Sequence, residues 1–171
     1  FQSTRGDLKC DQIFVMNADG SNQRMVSTGK GRTTCGYFLP DNKHIVYGST
    51  HEAGEACPPS PDRSKGYLWG VFAGYDIYVA GLDGSNLKKL TSAQGYDAEA
   101  TVNFKDNKLV YTSMSSGDLD LWTMKPDGSG IRRMSVNKDG DYLPHTLDDG
   151  SIAYTRCEYH ERSWAFIQSI W

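Results

Sequence analysis

Three copies of one phrase, short polar turns at matching intervals and the absence of any helical apolar period predict an all-β chain. The expected form is a β-propeller arc of about four blades, each a four-stranded antiparallel sheet. The phrase reads Asp-Gln-Ile-Phe-Val-Met-Asn-Ala-Asp-Gly-Ser-Asn at 11–22, Asp-Ile-Tyr-Val-Ala-Gly-Leu-Asp-Gly-Ser-Asn at 76–86 and Asp-Leu-Trp-Thr-Met-Lys-Pro-Asp-Gly-Ser-Gly at 120–130. Its Asp-Gly pairs begin at 19, 83 and 127, giving intervals of 64 and 44 residues. The shorter falls within the ~40–50 residues of a propeller blade, and the longer implies an insertion of about twenty.

Laid over one another, the repeats give a four-strand unit. First strands fall at 33–39, 98–104 and 142–147, each closed by a polar turn at Asp41-Asn42, Asp106-Asn107 or Asp149-Gly150, where Asn or Gly takes the positive φ of a tight hairpin. Second strands follow at 44–50, 108–113 and 151–156, and residues 1–4 align with the end of another. Third strands at 12–16, 76–80 and 119–124 lead through the Asp-Gly hairpin to fourth strands such as 86–90, and residues 169–171 align with the middle of one more third strand. The Asp-Gly pairs read as turns. A calcium loop would need several acidic groups and a downstream Glu within one short segment.

One repeat domain, 1–171, results: a partial blade 1–28, a blade 29–92 carrying the insertion 51–74, a blade 93–136 and a partial blade 137–171. Starting and stopping inside blades leaves unpaired strand edges. The expectation is an arc of a larger propeller whose missing blades belong to a longer parent chain, with a four-bladed ring closed by the two end fragments as the alternative. The chain opens at Phe1 with neither an initiator Met nor a signal region, and is expected to be processed or excised.

Eighteen basic residues face 21 acidic ones, for a net charge of −3, with no basic run longer than two. Nucleic acid is therefore not an expected partner. No apolar stretch approaches the ~18 residues of a spanning helix, so no membrane insertion is expected. Cys10, Cys35, Cys57 and Cys157 lack the Cys-x-x-Cys spacing of a zinc ribbon or haem site, which favours disulfides in an oxidising compartment over metal thiolates. Four cysteines allow three pairings. A Cys35–Cys57 bridge would fasten the insertion to the start of its own blade and contribute roughly 3 kcal/mol, leaving Cys10 and Cys157 free.

An up-and-down blade sends its two hairpins to one end of the ring, and its second-to-third loops and blade connections to the other. That second, loop-rich end carries the less repetitive residues, and there Arg32, His51, Asp97, Glu99, His145, Glu158 and His160 are expected around a channel mouth. Imidazoles and carboxylates so placed suit a divalent metal or an ionic ligand, or else form a solvated rim. The insertion brings Tyr67, Trp69 and Phe72, which need either a core or a partner, so it reads as an Ω-type loop or as a contact surface. No Gly-x-Ser-x-Gly elbow or recognisable Ser/His/Asp set is present, and Tyr159-His160-Glu161-Arg162 has no partner motif.

The stretches Leu-Pro-Asp-Asn-Lys-His-Ile-Val-Tyr at 39–47 and Asp-Leu-Asp-Leu-Trp-Thr-Met-Lys-Pro-Asp-Gly-Ser at 118–129 resemble the WD40-like propeller repeat of TolB-like periplasmic proteins, a resemblance covering nearly the whole chain. Gly-Arg-Thr-Thr-Cys-Gly-Tyr-Phe at 31–38 and Gly-Tyr-Asp-Ala-Glu-Ala-Thr at 95–101 are similar to an exported bacterial subgroup. Ile-Ala-Tyr-Thr-Arg-Cys-Glu-Tyr-His-Glu-Arg at 152–162 resembles repeats of large planctomycete-type propeller proteins, including the propeller part of hydrazine-synthase-like α subunits, with Cys157 where Trp is expected. None of the haem-binding residues of such an enzyme maps onto this chain.

The resemblance implies a periplasmic or secreted, non-catalytic scaffold that binds a protein or peptide partner and carries no cofactor. The contact residues expected on its loop-rich face are Arg32, Tyr67, Trp69, Phe72, Asp97, Glu99 and His145. Related propellers set the alternatives. In one, His51, Glu99 and His145 hold a divalent metal for a polysaccharide-lyase-like reaction, the metal acidifying the substrate proton or holding its carboxylate. In the other, the chain is the structural propeller part of a larger multidomain enzyme.

Overall fold

The computed structural model describes residues 1–64, 66, 70–158 and 167–171. Among them every regular element is a β-strand, and the strands pair into four antiparallel sheets. Blade 1 contains β1 (Gln2–Ser3), β2 (Gln12–Val15) and β3 (Arg24–Met25), and blade 2 contains β4 (Thr33–Phe38), β5 (His44–Ser49), β6 (Asp76–Gly81) and β7 (Lys88–Lys89). Blade 3 contains β8 (Asp97–Asn103), β9 (Lys108–Ser113), β10 (Asp120–Met124) and β11 (Arg132–Arg133), and blade 4 contains β12 (Asp141–Thr146), β13 (Ile152–Glu158) and β14 (Ile167–Ile170). Strand order within each sheet follows chain order, so each blade is an up-and-down meander and the expected all-β fold is the one that forms. The fourth strand of blade 2 is shorter than the predicted 86–90, covering Lys88–Lys89.

The β-branched and aromatic residues of β5, β6 and β9 suit a pleated strand, and near-continuous burial along them follows because a blade is covered on both faces. Blades 1 and 2 share a core of Ile13, Val15 and Val26 against Ile45, Tyr47, Tyr78 and Ala80. Blades 2 and 3 share a larger one, with Leu39, Val46, Ile77, Val79 and Leu90 against Ala100, Val102, Leu109, Tyr111 and Met124.

Local chemistry repeats as the sequence does. Asp19, Asp83, Asp127 and Asp149 each accept the backbone N–H of the serine two residues on, at 2.9, 3.0, 2.8 and 2.8 Å. Hydrogen bonds from those serines hold all four carboxyls below the usual carboxylate range. The glycine after each aspartate takes a φ of +83°, +82°, +84° or +89°, which a side chain would oppose. The predicted Asp-Gly turns are therefore fastened by their own side chains.

Blades are joined by a recurrent backbone bond. Thr33 N donates to Asp11 O, Asp97 N to Tyr75 O and Asp141 N to Leu119 O, at 2.9, 2.9 and 2.7 Å. Beside it, the hydroxyls of Ser27, Thr91 and Ser135 accept from the backbone of Ile13, Ile77 and Leu121, and donate to Gln12, Asp76 and Asp120.

The cysteine pairing differs from the expected Cys35–Cys57 bridge: Cys57 is bonded to Cys10, with the Cα atoms 5.6 Å apart, and Cys35 and Cys157 are free. The reason lies in the path of the insertion. Glu55 O accepts the backbone N–H of Gly31 at 2.8 Å, and the Glu55 carboxylate pairs with Lys30. These contacts carry residues 55–57 across the junction toward blade 1. A Cβ at Gly31 would lie 2.7 Å from Thr50 Oγ1 and 2.8 Å from His51 N, so glycine is needed where the insertion departs. The bridge thus ties the insertion to the preceding blade.

Candidate functional site at the channel mouth

Each complete first strand breaks register at the same place. The ladder jumps between Thr34 and Tyr37, between Ala98 and Thr101, and between Tyr142 and His145. In each gap a non-glycine residue has left-handed backbone: Cys35 at φ 54°, Glu99 at φ 59° and Leu143 at φ 52°. Such conformations cost about 1–3 kcal/mol and persist where surrounding structure imposes them. All three residues line one pocket of about 280 Å³ at the loop-rich end, together with Gln2, Asp11, Arg32, Thr34, Phe72, Tyr75 and Tyr96.

Glu99 organises this mouth. Its carboxylate is 6% exposed and accepts three hydrogen bonds, from Tyr96 Oη at 3.0 Å, Thr112 Oγ1 at 2.7 Å and the backbone N of Leu143 at 2.8 Å. The last crosses from blade 3 to blade 4. Burial pushes its pKa up, and the three donors oppose that shift.

Arg32 lies at the rim with its guanidinium 5.3 Å from the Phe72 ring centroid, and its Nε has no hydrogen-bond partner. Phe72 in turn packs 6.3 Å from Tyr75, which meets Tyr96 edge-on at 5.6 Å. Thus the described aromatic of the insertion folds back onto the rim, while Tyr67, Trp69 and His160 lie outside the described residues.

The remaining expected residues are elsewhere. Asp97 is 2% exposed and lines a separate cavity between blades 2 and 3. His145 lines a pocket of about 540 Å³ with Tyr37, Thr101 and Phe104. His51 accepts or donates a bond to Ser49 Oγ at 2.8 Å and packs 4.4 Å from the Tyr78 ring; burial lowers its pKa. Glu158 is paired with Arg156 at 3.4 Å. The proposed metal set His51, Glu99 and His145 is therefore distributed over three surroundings, and among the described residues no group of three His, Cys, Asp or Glu side chains is arranged to hold a metal ion.

Sequence reasoning did not single out Tyr75 and Tyr96, and named Cys35 only as a disulfide candidate. The signal was the repeat itself: Cys35, Glu99 and Leu143 are spaced by 64 and 44 residues, the same intervals as the Asp-Gly turns. Chemically the mouth offers one cation, Arg32, two carboxyl groups, Asp11 and Glu99, and the hydroxyl and thiol groups of Tyr75, Tyr96 and Cys35. Burial pushes the Tyr75 and Tyr96 phenols and the Cys35 thiol up, so Cys35 is not a ready thiolate nucleophile. The set is suited to recognition.

No protein-family model matches the chain. An uncharacterized protein of Agrobacterium fabrum, Atu1656, is 25% identical over 76 residues, which is 44% of this chain and 26% of that protein. Among solved structures, a protein assigned as TolB from Agrobacterium tumefaciens matches 93% of this chain with a TM-score of 0.64 and 18% identity. The β-propeller domain of the trilobed protease of Pyrococcus furiosus matches 94% with a TM-score of 0.56 and 14% identity. This chain covers 50% and 45% of those two structures. None of the described helices, there being no helical element, is long and apolar enough to cross a membrane. Its four meander sheets and its likeness to these propellers make the chain a β-propeller arc, which spans about half the length of the solved structures that it matches.

Proposed function

We propose that the chain is part of a non-catalytic, exported TolB-like propeller scaffold that binds a protein or peptide segment at the mouth of its loop-rich face. The carrying observation is Arg32: a half-buried guanidinium 5.3 Å from the Phe72 ring centroid, lining one pocket with Tyr75, Tyr96 and Glu99. Such a cation takes a carboxylate, from an acidic side chain or a chain terminus, and the aromatic floor takes the apolar part of the same segment. The Cys10–Cys57 disulfide supports a periplasmic or secreted setting. The remaining blades would come from the rest of a longer parent.

Selection of a displayed peptide library on the wild-type protein tests this. The expected result is a set of acidic peptides whose binding falls at least about tenfold in Arg32→Ala, the loss of one charged hydrogen bond. Recovery of peptides indifferent to both Arg32→Ala and Phe72→Ala would remove the mouth as the binding site. A second reading, the structural propeller of a larger multidomain enzyme, is favoured by the fold shared with a protease's propeller domain.

A further inference from the structure

At the blade 1–2 and 2–3 junctions, a cation on the fourth strand of one blade holds the Asp-Gly turn of the next. Arg24 stands opposite Val15 in its sheet, and its Nε donates at 3.3 Å to Leu82 O, beside the Asp83-Gly84 turn of blade 2. Lys88 stands opposite Val79, and its Nζ donates at 2.8 Å to Asp127 O, in the turn of blade 3. The glycines of those turns sit over a carbonyl of the preceding blade: a Cβ at Gly84 would lie 2.9 Å from Val26 O, and one at Gly128 would lie 3.3 Å from Leu90 O. Val26 and Leu90 are covered, at 4% and 8% exposed.

In blade 3 the same positions hold Arg132, opposite Thr123, and Met134, each 44 residues after its counterpart in blade 2. Met134 is 54% exposed, where its two counterparts are covered. A groove of about 320 Å³ runs there, with Thr123, Arg132 and Met134 on the blade 3 side and Gly150 and Ile152 on the blade 4 side. Its walls repeat those of the blade 1–2 junction. Thr123 and Met134 stand where Val15 and Val26 do, and Ile152, opposite Thr146, stands where Ile45 does, opposite Phe38. At the blade 1–2 junction the remaining piece is Leu82, the residue before the Asp-Gly turn, which packs on the cluster containing Val15, Val26 and Ile45.

We propose that this groove seats a third-to-fourth-strand hairpin of blade 4 itself. An apolar residue before its Asp-Gly pair would pack on Thr123, Met134 and Ile152, a turn carbonyl would accept from Arg132, and the glycine would sit over Met134 O. The occupant belongs to blade 4 because β14 already runs as the third strand of that blade. Trp171 and Tyr154 exchange both backbone bonds, at 3.1 and 3.0 Å, in the register by which Tyr78 faces Tyr47 and Trp122 faces Tyr111. The seat thus continues an interface that the chain makes twice, and it selects for a glycine turn because a Cβ would press on the carbonyl beneath it. The proposal does not depend on partner binding at the mouth, because none of the residues lining this groove lines that pocket.

The test supplies such a hairpin from this chain's own blade 2, residues 79–90, in two ways: fused after Trp171, where the register of Tyr78 places it, and as a cyclised peptide added to the wild-type chain. Met134 is followed through its ¹³C-methyl resonance, assigned by its loss in Met134→Leu, and through its oxidation by hydrogen peroxide. In the fused protein the resonance should shift, and oxidation of Met134 should slow from the rate of exposed Met16 toward that of buried Met124. The peptide should shift the same resonance saturably, and less in Arg132→Ala. A response to the fusion alone also supports the seat, since an isolated hairpin is marginally stable in water. Met134 unresponsive to both, or protected equally by a fusion whose Leu-Asp-Gly-Ser turn is replaced by four serines, would overturn the proposal. Protection that rises with concentration of the wild-type chain alone would overturn it too, by assigning the groove to a second copy.

Discussion

The blade 2–3 and blade 3–4 junctions are built on the same backbone yet held by different forces. Between blades 2 and 3 the contact is apolar, with Val46, Val79 and Leu90 packed on Ala100, Val102 and Tyr111. Between blades 3 and 4 it is polar: the backbone N–H groups of Leu143 and Asn137 donate to the Glu99 and Asp120 carboxylates, the Thr146 hydroxyl donates to Val102 O, and the Asn103 amide donates to Gly150 O. The second strand of blade 3 is buried from Leu109 to Ser113, whereas its counterpart in blade 4 is half-buried from Ile152 to Arg156. Apolar packing is non-directional and leaves side-chain identity free, whereas a polar junction fixes particular residues. A repeat protein thus repeats its turns and backbone bonds while its junctions diverge.

Removing the disulfide is the largest change expected, and it bounds the comparison from outside. The Cys10–Cys57 bond closes a separation of 47 residues, for which chain entropy gives about 4 kcal/mol. Cys10→Ser with Cys57→Ser should lower the urea midpoint accordingly, while amide exchange at Asp97 and Asp141 keeps its relative order. A selective loss of protection at the blade 2–3 junction would mean that the insertion, and not the shared core, holds it.

Breaking the apolar junction comes next. Leu109 is fully buried, so Leu109→Ala should cost about 2–4 kcal/mol. Glu99→Ala strands the Leu143 N–H, the Tyr96 hydroxyl and the Thr112 hydroxyl, for about 2 kcal/mol. The two variants separate by hydrogen exchange: Leu143 N–H should exchange faster in Glu99→Ala, and remain the better protected in Leu109→Ala. Equal effects on that amide would erase the distinction between the junctions.

The fold was legible because its signals are local and periodic: the Asp-Gly-Ser turns need no partner beyond themselves, and period-2 strands between them leave one topology. The candidate site was only partly legible. Of the expected residues Arg32, Phe72 and Glu99 line one pocket, whereas Asp97 and His145 line two others. The bulge is the reason. One extra residue in each first strand changes which side chains face the channel, and nothing in Cys35, Glu99 or Leu143 as residue types announces a left-handed backbone. The disulfide was misassigned for a related reason, since the path of an insertion with no repeat counterpart cannot be read by overlaying repeats.

Changing pH probes Asp97 alone if wild type is compared with Asp97→Asn. Burial raises the folded-state pKa of Asp97 above its unfolded value, so the folded protein binds the proton more tightly. Wild-type stability from this group is therefore greatest at low pH, and falls as pH rises from the ordinary aspartate range through the raised value. The melting temperature of Asp97→Asn minus that of wild type should increase with pH over that window and then level off. Glu99, raised in the same sense, and the turn aspartates, lowered in the opposite sense, are common to both proteins and cancel. A difference that shrinks with rising pH would mean that the charged form of Asp97 is the one the fold prefers.

The smallest effect expected, and the sharpest, comes from giving the blade 2–3 junction the polar group of its neighbour. By the 44-residue repeat, Ala93→Asn puts an amide at the position of Asn137, with Asp97 in the place of Asp141 and Tyr96 and Met114 in the places of Gly140 and Cys157. One acceptor that lacks a partner would gain one, for about 1 kcal/mol, set against the desolvation of the incoming amide. Because the two contributions oppose each other, the total change in stability is less informative than the coupling. A double-mutant cycle with Asp97→Ala should give about 1 kcal/mol of favourable interaction between positions 93 and 97 if the junctions are interchangeable in design. A coupling near zero would show that the apolar packing of blades 2 and 3 holds position 93 too far from Asp97, and that the polar junction depends on the looser fit of blade 4.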